Sequence, residues 1–490
     1  MKKNLRLLGA VTSFIIYLSV FLASFSYPID PDLGWHLKYG QYFWQYHRVL
    51  RDNTFSALMP YFKWNNSSWA TDLLTYQTFH HFGFVGITIL GALVITATFF
   101  FIGRAAKLNL FEKSVIFPIL TYVVSPVNQI SFRGQLLSLL FIGVMYYILS
   151  KYGQTNKKII LLLIPFFTLW SNFHGEFILG LALFFIWVVV YIAKEIYLTY
   201  RTNLKKFINN EKFLLLSFFG SIFSVLINPF GLGVYIETLG HFENPLQQSV
   251  IEFQPLNSFS TVWWHQLIAG LILVIGLAML GIGKKTLDKA PYYIPSFILF
   301  IFTFWIRRYA WPFYYSLVFL LKPAVNFLKP ESQKYTVLVS GIFAVSFLAI
   351  SIWTKYPFDK FSQMNWSMFC KLSVGCSPTA AQAVIDNGLN NSKLLTIYDY
   401  GGWLIWNYPQ IKPTIDGRMH LWRDKNGYSG FEYYYPIEQN TTGDIDSAPY
   451  NIVLTSNRKP IYNRLVKLTN QRKWKVIHAD KFSAVFVRNK

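Results

Sequence analysis

The segment Asp30-Pro31-Asp32-Leu33-Gly34-Trp35-His36 follows directly on the first apolar stretch of the chain. Two carboxylates spaced two residues apart around a proline can reach one metal ion or one incoming nucleophile. Their mutual repulsion should raise one of the two pKa values towards that of a useful base. Asp32 and Asp30 are therefore candidate catalytic residues, and candidate ligands for a divalent ion such as Mg or Mn. The alternative is a proline turn in which Asp32 caps a helix starting at Leu33. His36, one turn further on, is a candidate for substrate binding.

Three other clusters carry comparable chemistry. Asn172-Phe173-His174-Gly175-Glu176 fills a very short loop between apolar runs, and a helix starting near Glu176 would aim its positive end at that loop. His174 and Glu176 are candidate substrate-binding groups; loop capping by Asn172 with a turn at Gly175 is the competing explanation. Arg307 and Arg308 can clamp a phosphate through bidentate hydrogen bonds, or else snorkel to lipid headgroups. Arg133, flanked by Gln129 and Gln135, is a further cationic candidate. Near the C-terminus, Tyr398-Asp399-Tyr400-Gly401-Gly402-Trp403 and Ile415-Asp416-Gly417-Arg418 place paired glycines beside charged residues. Such glycines allow a tight turn or close approach to a ligand; Arg418 paired with Asp416 or Asp399 could equally just hold the fold together.

These residues need a scaffold, and composition says which kind. Of 490 residues, 53% are hydrophobic, 19% aromatic and only 14% charged, against about 25% charged in an ordinary soluble domain. A polytopic membrane protein accounts for that balance. Apolar runs fall near 7–27, 84–103, 114–127, 135–150, 158–171, 176–193, 213–228, 263–282, 291–306, 309–328 and 334–353, giving about eleven spans. Several are shorter than the ~20 residues a bilayer crossing requires, and those around Pro118 and Pro165 are expected to be tilted or broken. The first has no small-residue cleavage site before Pro28 and reads as a retained helix.

The net charge of +22 invites a nucleic-acid reading, but the basic residues sit in short loops between apolar runs. With Met1 inside, 20 Lys and Arg fall in the cytoplasmic loops and 7 in the opposite ones before residue 354. That asymmetry puts the N-terminus in and, with an odd number of spans, the C-terminus out. His36, His47, His80, His81, His174, His241 and His265 then all face outward. Asp30, Asp32, Asp52, Asp72, Glu176, Glu237, Glu243 and Glu252 do so as well. Ionisable groups gathered at a membrane edge point to function.

The expected organisation is a helical membrane domain over 1–353 and a small α/β domain outside the membrane over 354–490. Residues 35, 39, 42 and 46 place aromatic side chains on one stripe of a helix in the long loop 28–83, which predicts a helix lying on the membrane surface. The second long outer loop, 229–262, has no Lys or Arg. In the tail, strands are expected near 394–398, 450–455, 475–478 and 484–488. Helices are expected from Pro378 to about Asn387 and over 462–474. Cys370 and Cys376 are the only cysteines, and an oxidising compartment would allow a disulfide between them; two unpaired thiols are the alternative.

Taken together the features resemble the GT-C superfamily of multi-pass glycosyltransferases. Its relatives include protein mannosyltransferases, lipid A aminoarabinose transferases and oligosaccharyltransferases. Shared features are the many spans, a carboxylate just after the first span, and helices in the first outer loop. Asp399-Tyr400-Gly401 is similar to the end of the oligosaccharyltransferase motif, with Ile397 and Tyr398 where that motif has tryptophans. The resemblance implies a sugar donor on a polyprenyl phosphate, reached from the outer half of the cell membrane, and usually inverting transfer. It implies Asp32 as the base acting on the acceptor hydroxyl, with Asp30 assisting, and Arg307 or Arg308 stabilising the leaving phosphate. Loop 229–262 would close over the donor, while Asp399, Tyr400 and Gly401 would help present an acceptor glycan, lipid or protein. A divalent metal at Asp30 and Asp32 is allowed by the resemblance but not required. Two other classes compete: a transporter or flippase for a lipid-linked sugar, and a non-catalytic membrane scaffold with a binding tail.

Overall fold

The computed structural model describes residues 2–127, 131–152, 157–198, 210–240, 250–280, 284–390, 393–420 and 422–489. Gln129, His241 and Glu243, singled out above, lie outside the described residues. The chain is mostly helical and forms two compact units. One comprises Met1–Ser26, Thr88–Thr238 and Gln248–Asp359; the other comprises Tyr27–Ile87, Leu239–Gln247 and Lys360–Lys490.

The first unit contains α1 (Lys2–Ala23), then skips α2 (Leu33–Tyr46), which belongs to the second unit. It continues with the C-terminal part of α3 (Trp69–Ala105), followed by α4 (Leu110–Val123), α5 (Gly134–Lys151), α6 (Leu163–Phe173), α7 (Phe177–Leu198), α8 (Lys212–Ser224) and α9 (Gly233–Gly240). Next come α10 (Trp263–Leu280), α11 (Lys284–Phe302), α12 (Ala310–Phe327) and α13 (Gln333–Lys355). Every one of the eleven apolar runs falls on one of these helices. Six of them (α1, α3, α5, α7, α10 and α13) are long and apolar enough to cross a membrane.

The others fall short for identifiable reasons. α4, α6 and α8 have 14, 11 and 13 residues. At about 1.5 Å per residue these reach roughly 20 Å of the ~30 Å hydrocarbon core. α11 starts on two lysines and contains Pro291 and Pro295, and α12 contains Lys322 and Pro323. Within the unit, α1 packs on α13 and α4, α10 on α12, and α7 on α11. The apolar window of α5 is 78% buried, whereas that of α13 is only 28% buried. Tyr335, Leu338, Ile342 and Val345 therefore form an exposed apolar stripe along α13, the surface expected of a helix against lipid.

The second unit joins the first long loop to the C-terminal region. The aromatic stripe of α2 does not lie open to a membrane surface as its periodicity suggested. Trp35 and Tyr39 are buried with Leu50, Trp64, Ile415, Met419 and Trp422 in an aromatic core, and only Tyr46 at the far end is exposed. Amphipathicity shows that one face is covered; it does not say by what. Helix α2 crosses α17 (Gly401–Asn407) at glycines. A Cβ on Gly34 would stand 1.9 Å from the Gly402 carbonyl oxygen, so only glycine permits this approach.

Short helices α14 (Asp359–Ser362) and α15 (Trp366–Leu372) lead into α16 (Pro378–Asp386), where the Ser377 side chain accepts a hydrogen bond from the Ala380 N–H and Pro378 takes the first position. Strands β1 (Leu394–Thr396), β2 (Ile452–Ser456), β3 (Trp474–Ala479) and β4 (Ser483–Arg488) form one sheet in the order β1-β2-β4-β3. The β1–β2 pair is parallel and the rest antiparallel. Helix α18 (Gly430–Glu438) precedes β2, and α19 (Pro460–Asn470) connects β2 to β3, stopping short of the expected 474 because Trp474 opens β3. Cys370 and Cys376 are joined in a disulfide, with Cα atoms 4.6 Å apart.

Candidate functional site

Two polar clusters hold the singled-out residues, one in each unit. In the second unit, the Asp30 Oδ1 accepts a hydrogen bond from the Asp32 N–H at 3.1 Å, closing a turn around Pro31. Asp32 occupies the position preceding α2, but its side chain makes no capping hydrogen bond. Its carboxylate rests instead against Gly417: a Cβ built there would stand 1.8 Å from Asp32 Oδ1. One turn along α2, His36 Nδ1 lies 2.5 Å from Asp72 Oδ1, and the other Asp72 oxygen accepts from Asn66 Nδ2 at 2.6 Å. Burial alone would disfavour a charged His36, but the Asp72 carboxylate outweighs it, and Asp30 and Asp32 add to the effect. The imidazole pKa is therefore raised above its ordinary value.

Gly417 is itself held from both sides. Its carbonyl accepts from the Tyr398 hydroxyl at 3.2 Å and lies 2.9 Å from His420 Nδ1. Beside it, the buried Asp416 takes two 2.7 Å hydrogen bonds from Arg418 Nε and Nη2, and a third from Ser56. Burial pushes the Asp416 pKa up, but Arg418 more than reverses this and holds the carboxyl below its usual range. The guanidinium lies between 5.1 and 5.8 Å from the rings of Trp35, Phe55, Trp64 and Trp422. Of the two partners open to Arg418, the structure selects Asp416. This pair is a buried clasp that fixes Gly417 under Asp32.

The motif 398–403 is divided in its surroundings. Asp399 pairs with Lys459 Nζ at 2.8 Å, and Lys459 also reaches Glu438 at 3.1 Å. Tyr400 is fully buried, with its hydroxyl on the Gly375 carbonyl and Ser483. Gly401 packs against the Asp416 backbone, where a Cβ would come within 2.6 Å of the Asp416 Cα. Tyr400 and Gly401 thus serve packing, and of the three only Asp399 keeps substantial exposure, 35% of its side chain.

The first unit gathers four of the other candidates. Arg308 Nε donates to Glu176 Oε1 at 2.6 Å and Arg308 Nη1 to Glu252 Oε2 at 3.1 Å. Arg133 Nη1 donates to the other Glu252 oxygen at 2.7 Å. His174 Nδ1 lies 2.8 Å from Ser138 Oγ and 3.6 Å from Glu176 Oε2. Local structure explains the meeting: Arg133 precedes α5, His174 and Glu176 form the α6–α7 turn, and Arg308 sits in the 3-10 turn Arg307–Tyr309 before α12. Burial would raise the Glu252 pKa, but the two guanidiniums overcome it and hold the carboxyl below its usual value. Arg307 points elsewhere: its Nη2 donates to Ser260 Oγ at 2.9 Å, and burial lowers its pKa.

Asn66 and His420 were not singled out; Asp72 stood only among the outward-facing carboxylates, and Tyr398 only as the first residue of the motif 398–403. The signal for Asp72 was present as a lone carboxylate in the first turn of a long apolar helix; nothing local marked Asn66 or His420. Among the described residues no three His, Cys, Asp or Glu side chains are arranged to hold a metal ion. An ion at Asp30 and Asp32 would take its remaining ligands from substrate phosphate or water, as Mg commonly does. No family model matches the chain, and no curated protein sequence matches it.

Proposed function

We propose that this chain is a membrane glycosyltransferase of the GT-C type. It moves a sugar from a polyprenyl-phosphate-linked donor to an acceptor at the outer face of the cell membrane. We read the bundle as eleven crossings with the N-terminus inside, the short helices completing what the six long ones begin. The basic-residue asymmetry supports that orientation, and so does a disulfide at 370–376, since such bonds persist in oxidising compartments.

The observation that carries the reading is the setting of Asp32. A carboxylate at the start of a helix is normally spent on capping; this one is seated on Gly417, with Asp30 shaping the turn. In the proposed reaction Asp32 takes the proton of the acceptor hydroxyl as its oxygen bonds to the anomeric carbon. The bond from that carbon to phosphate breaks, and the polyprenyl phosphate leaves with the electron pair. Direct displacement inverts the anomeric centre. Within the first unit, Arg308 and Arg133 are the groups able to bind a phosphate, by exchanging their carboxylate partners Glu176 and Glu252 for its oxygens. A divalent ion held by Asp30 and Asp32 would add Lewis-acid assistance when bound.

The test is Asp32→Asn in the full-length protein, assayed for sugar transfer from lipid-linked donors. Loss of a general base should reduce kcat roughly 10²- to 10⁴-fold while the thermal midpoint stays near wild type. Undiminished transfer would refute the assignment. Movement of intact lipid-linked sugar across the bilayer, without bond cleavage, would replace it with a flippase.

A further inference from the structure

At the end of the first unit where α3 hands over to α4, four cations face one cavity of about 450 Å³: Arg104, Lys107, Lys113 and Lys151. Among the described residues no carboxylate lines it. Among the described residues none of the four lies within ion-pair distance of an acidic group. Each long side chain but Lys107 is set against a ring, with Arg104 5.3 Å from Phe100, Lys151 5.5 Å from Tyr147 and Lys113 5.5 Å from Tyr17. A second cavity of about 210 Å³ shares Lys107 and adds Lys289 and Lys322, with Asp288 as its one acid. Lys322 is already engaged there, donating to the Ala106 and Lys107 carbonyls at 2.7 and 2.9 Å.

Basic residues at helix ends are expected wherever charge sets membrane orientation. Orientation depends on how many cations a loop holds, not on their converging around an empty volume. Four like charges facing a shared space repel one another unless an anion fills it. We infer that this cavity binds a phosphate-bearing group. The surroundings suit the headgroup of an anionic lipid, because the cations stand where apolar helices end. Arg104 follows the exposed Phe100 by one turn, and Lys151 is the last residue of α5. A soluble phosphate has the same chemistry and is the other source. The inference is independent of the reaction proposed above.

The full-length protein is reconstituted in phosphatidylcholine nanodiscs, in matching nanodiscs containing phosphatidylglycerol, and in phosphatidylcholine nanodiscs with inorganic phosphate. Lysine acetylation rates are read residue by residue by mass spectrometry. Lys107, Lys113 and Lys151 should be protected relative to the exposed Lys329 and Lys334, which flank the α12–α13 turn. Protection by phosphatidylglycerol alone identifies a lipid site; protection by inorganic phosphate identifies a soluble one. Equal slowing at Lys329 and Lys334 would mean only a general surface potential, and no protection in either arm would mean no site; both overturn the inference. Arg104→Gln should weaken the protection about fivefold, the loss expected from one surface cation, and Arg104→Lys should retain it.

Discussion

Gly417 is the residue on which the proposed base depends, and the dependence is steric. Asp32 lies where the Cβ of any larger residue would be, so Gly417→Ala must displace that carboxylate. A displacement of about 1 Å can lower a rate about 10²-fold, and that is the expected fall in kcat for transfer. Gly34→Ala is the informative comparison, because its Cβ meets a backbone carbonyl and has nothing mobile to push aside. It should lower the thermal midpoint more than Gly417→Ala does. The reverse order would show that Gly417 serves the fold and not Asp32. His36 offers a second residue-scale expectation. Its pKa is raised in the folded protein by the buried Asp72. The pair's stabilisation is therefore fully present below the unfolded-state value of about 6.5, and disappears as pH rises through the folded-state value. The thermal midpoint of wild type should exceed that of His36→Gln most at pH 6, with the gap closing on the alkaline side. A gap that widens with pH would exclude an imidazolium–carboxylate pair.

The loop piece around Ile251–Phe253 is tied by Glu252, which joins both Arg133 and Arg308, and by the Gln254 carbonyl, which accepts from the Arg307 N–H at 2.9 Å. If those arginines serve the donor phosphate, Glu252 competes with it. A charge-assisted hydrogen bond contributes about 1.5–3 kcal/mol, so Glu252→Gln should tighten binding of polyprenyl phosphate roughly tenfold and speed hydrogen exchange over 250–262. Weaker binding would show that Glu252 orders the arginines for the ligand. Much of this cluster was legible in the sequence, because Arg133, His174, Glu176 and Arg308 are polar residues at the edges of apolar runs. Their partner in Glu252 was not, since no local pattern ties residue 252 to residue 133. The same limit explains α2. Its stripe showed that a face is buried, but of the covering residues Ile415, Met419 and Trp422 are nearly 400 positions away. The strands of the tail were readable as short, mostly apolar runs. Helices α17 and α18 were not: α17 is seven residues long and opens on two glycines, and α18 is nine residues long and holds a Gly, a Pro and three Tyr.

At the scale of the whole molecule, charge distribution and helix length give different kinds of information. Length and apolarity identify six helices able to span a bilayer by themselves. The 20-to-7 partition of basic residues requires more crossings than six to keep every cationic loop on one side. The two agree if the short helices, supported by neighbours, cross a locally thinned or polar-lined region, as broken helices do when buried in protein. Labelling can decide this, because both native cysteines are bonded to each other and do not react with maleimide. Phe259, 95% exposed, lies in the loop before α10; Lys329 lies between α12 and α13. Phe259→Cys should react with a membrane-impermeant maleimide on intact cells, and Lys329→Cys only after permeabilisation. Three crossings, α10 to α12, separate these sites in the eleven-span arrangement. If α10 alone spans there, one crossing still separates them; if α10 and just one of α11 and α12 span, both cysteines label from the same side. Same-side labelling would remove the cationic asymmetry as a guide to orientation, and with it the argument that Asp32 meets its acceptor outside the cell.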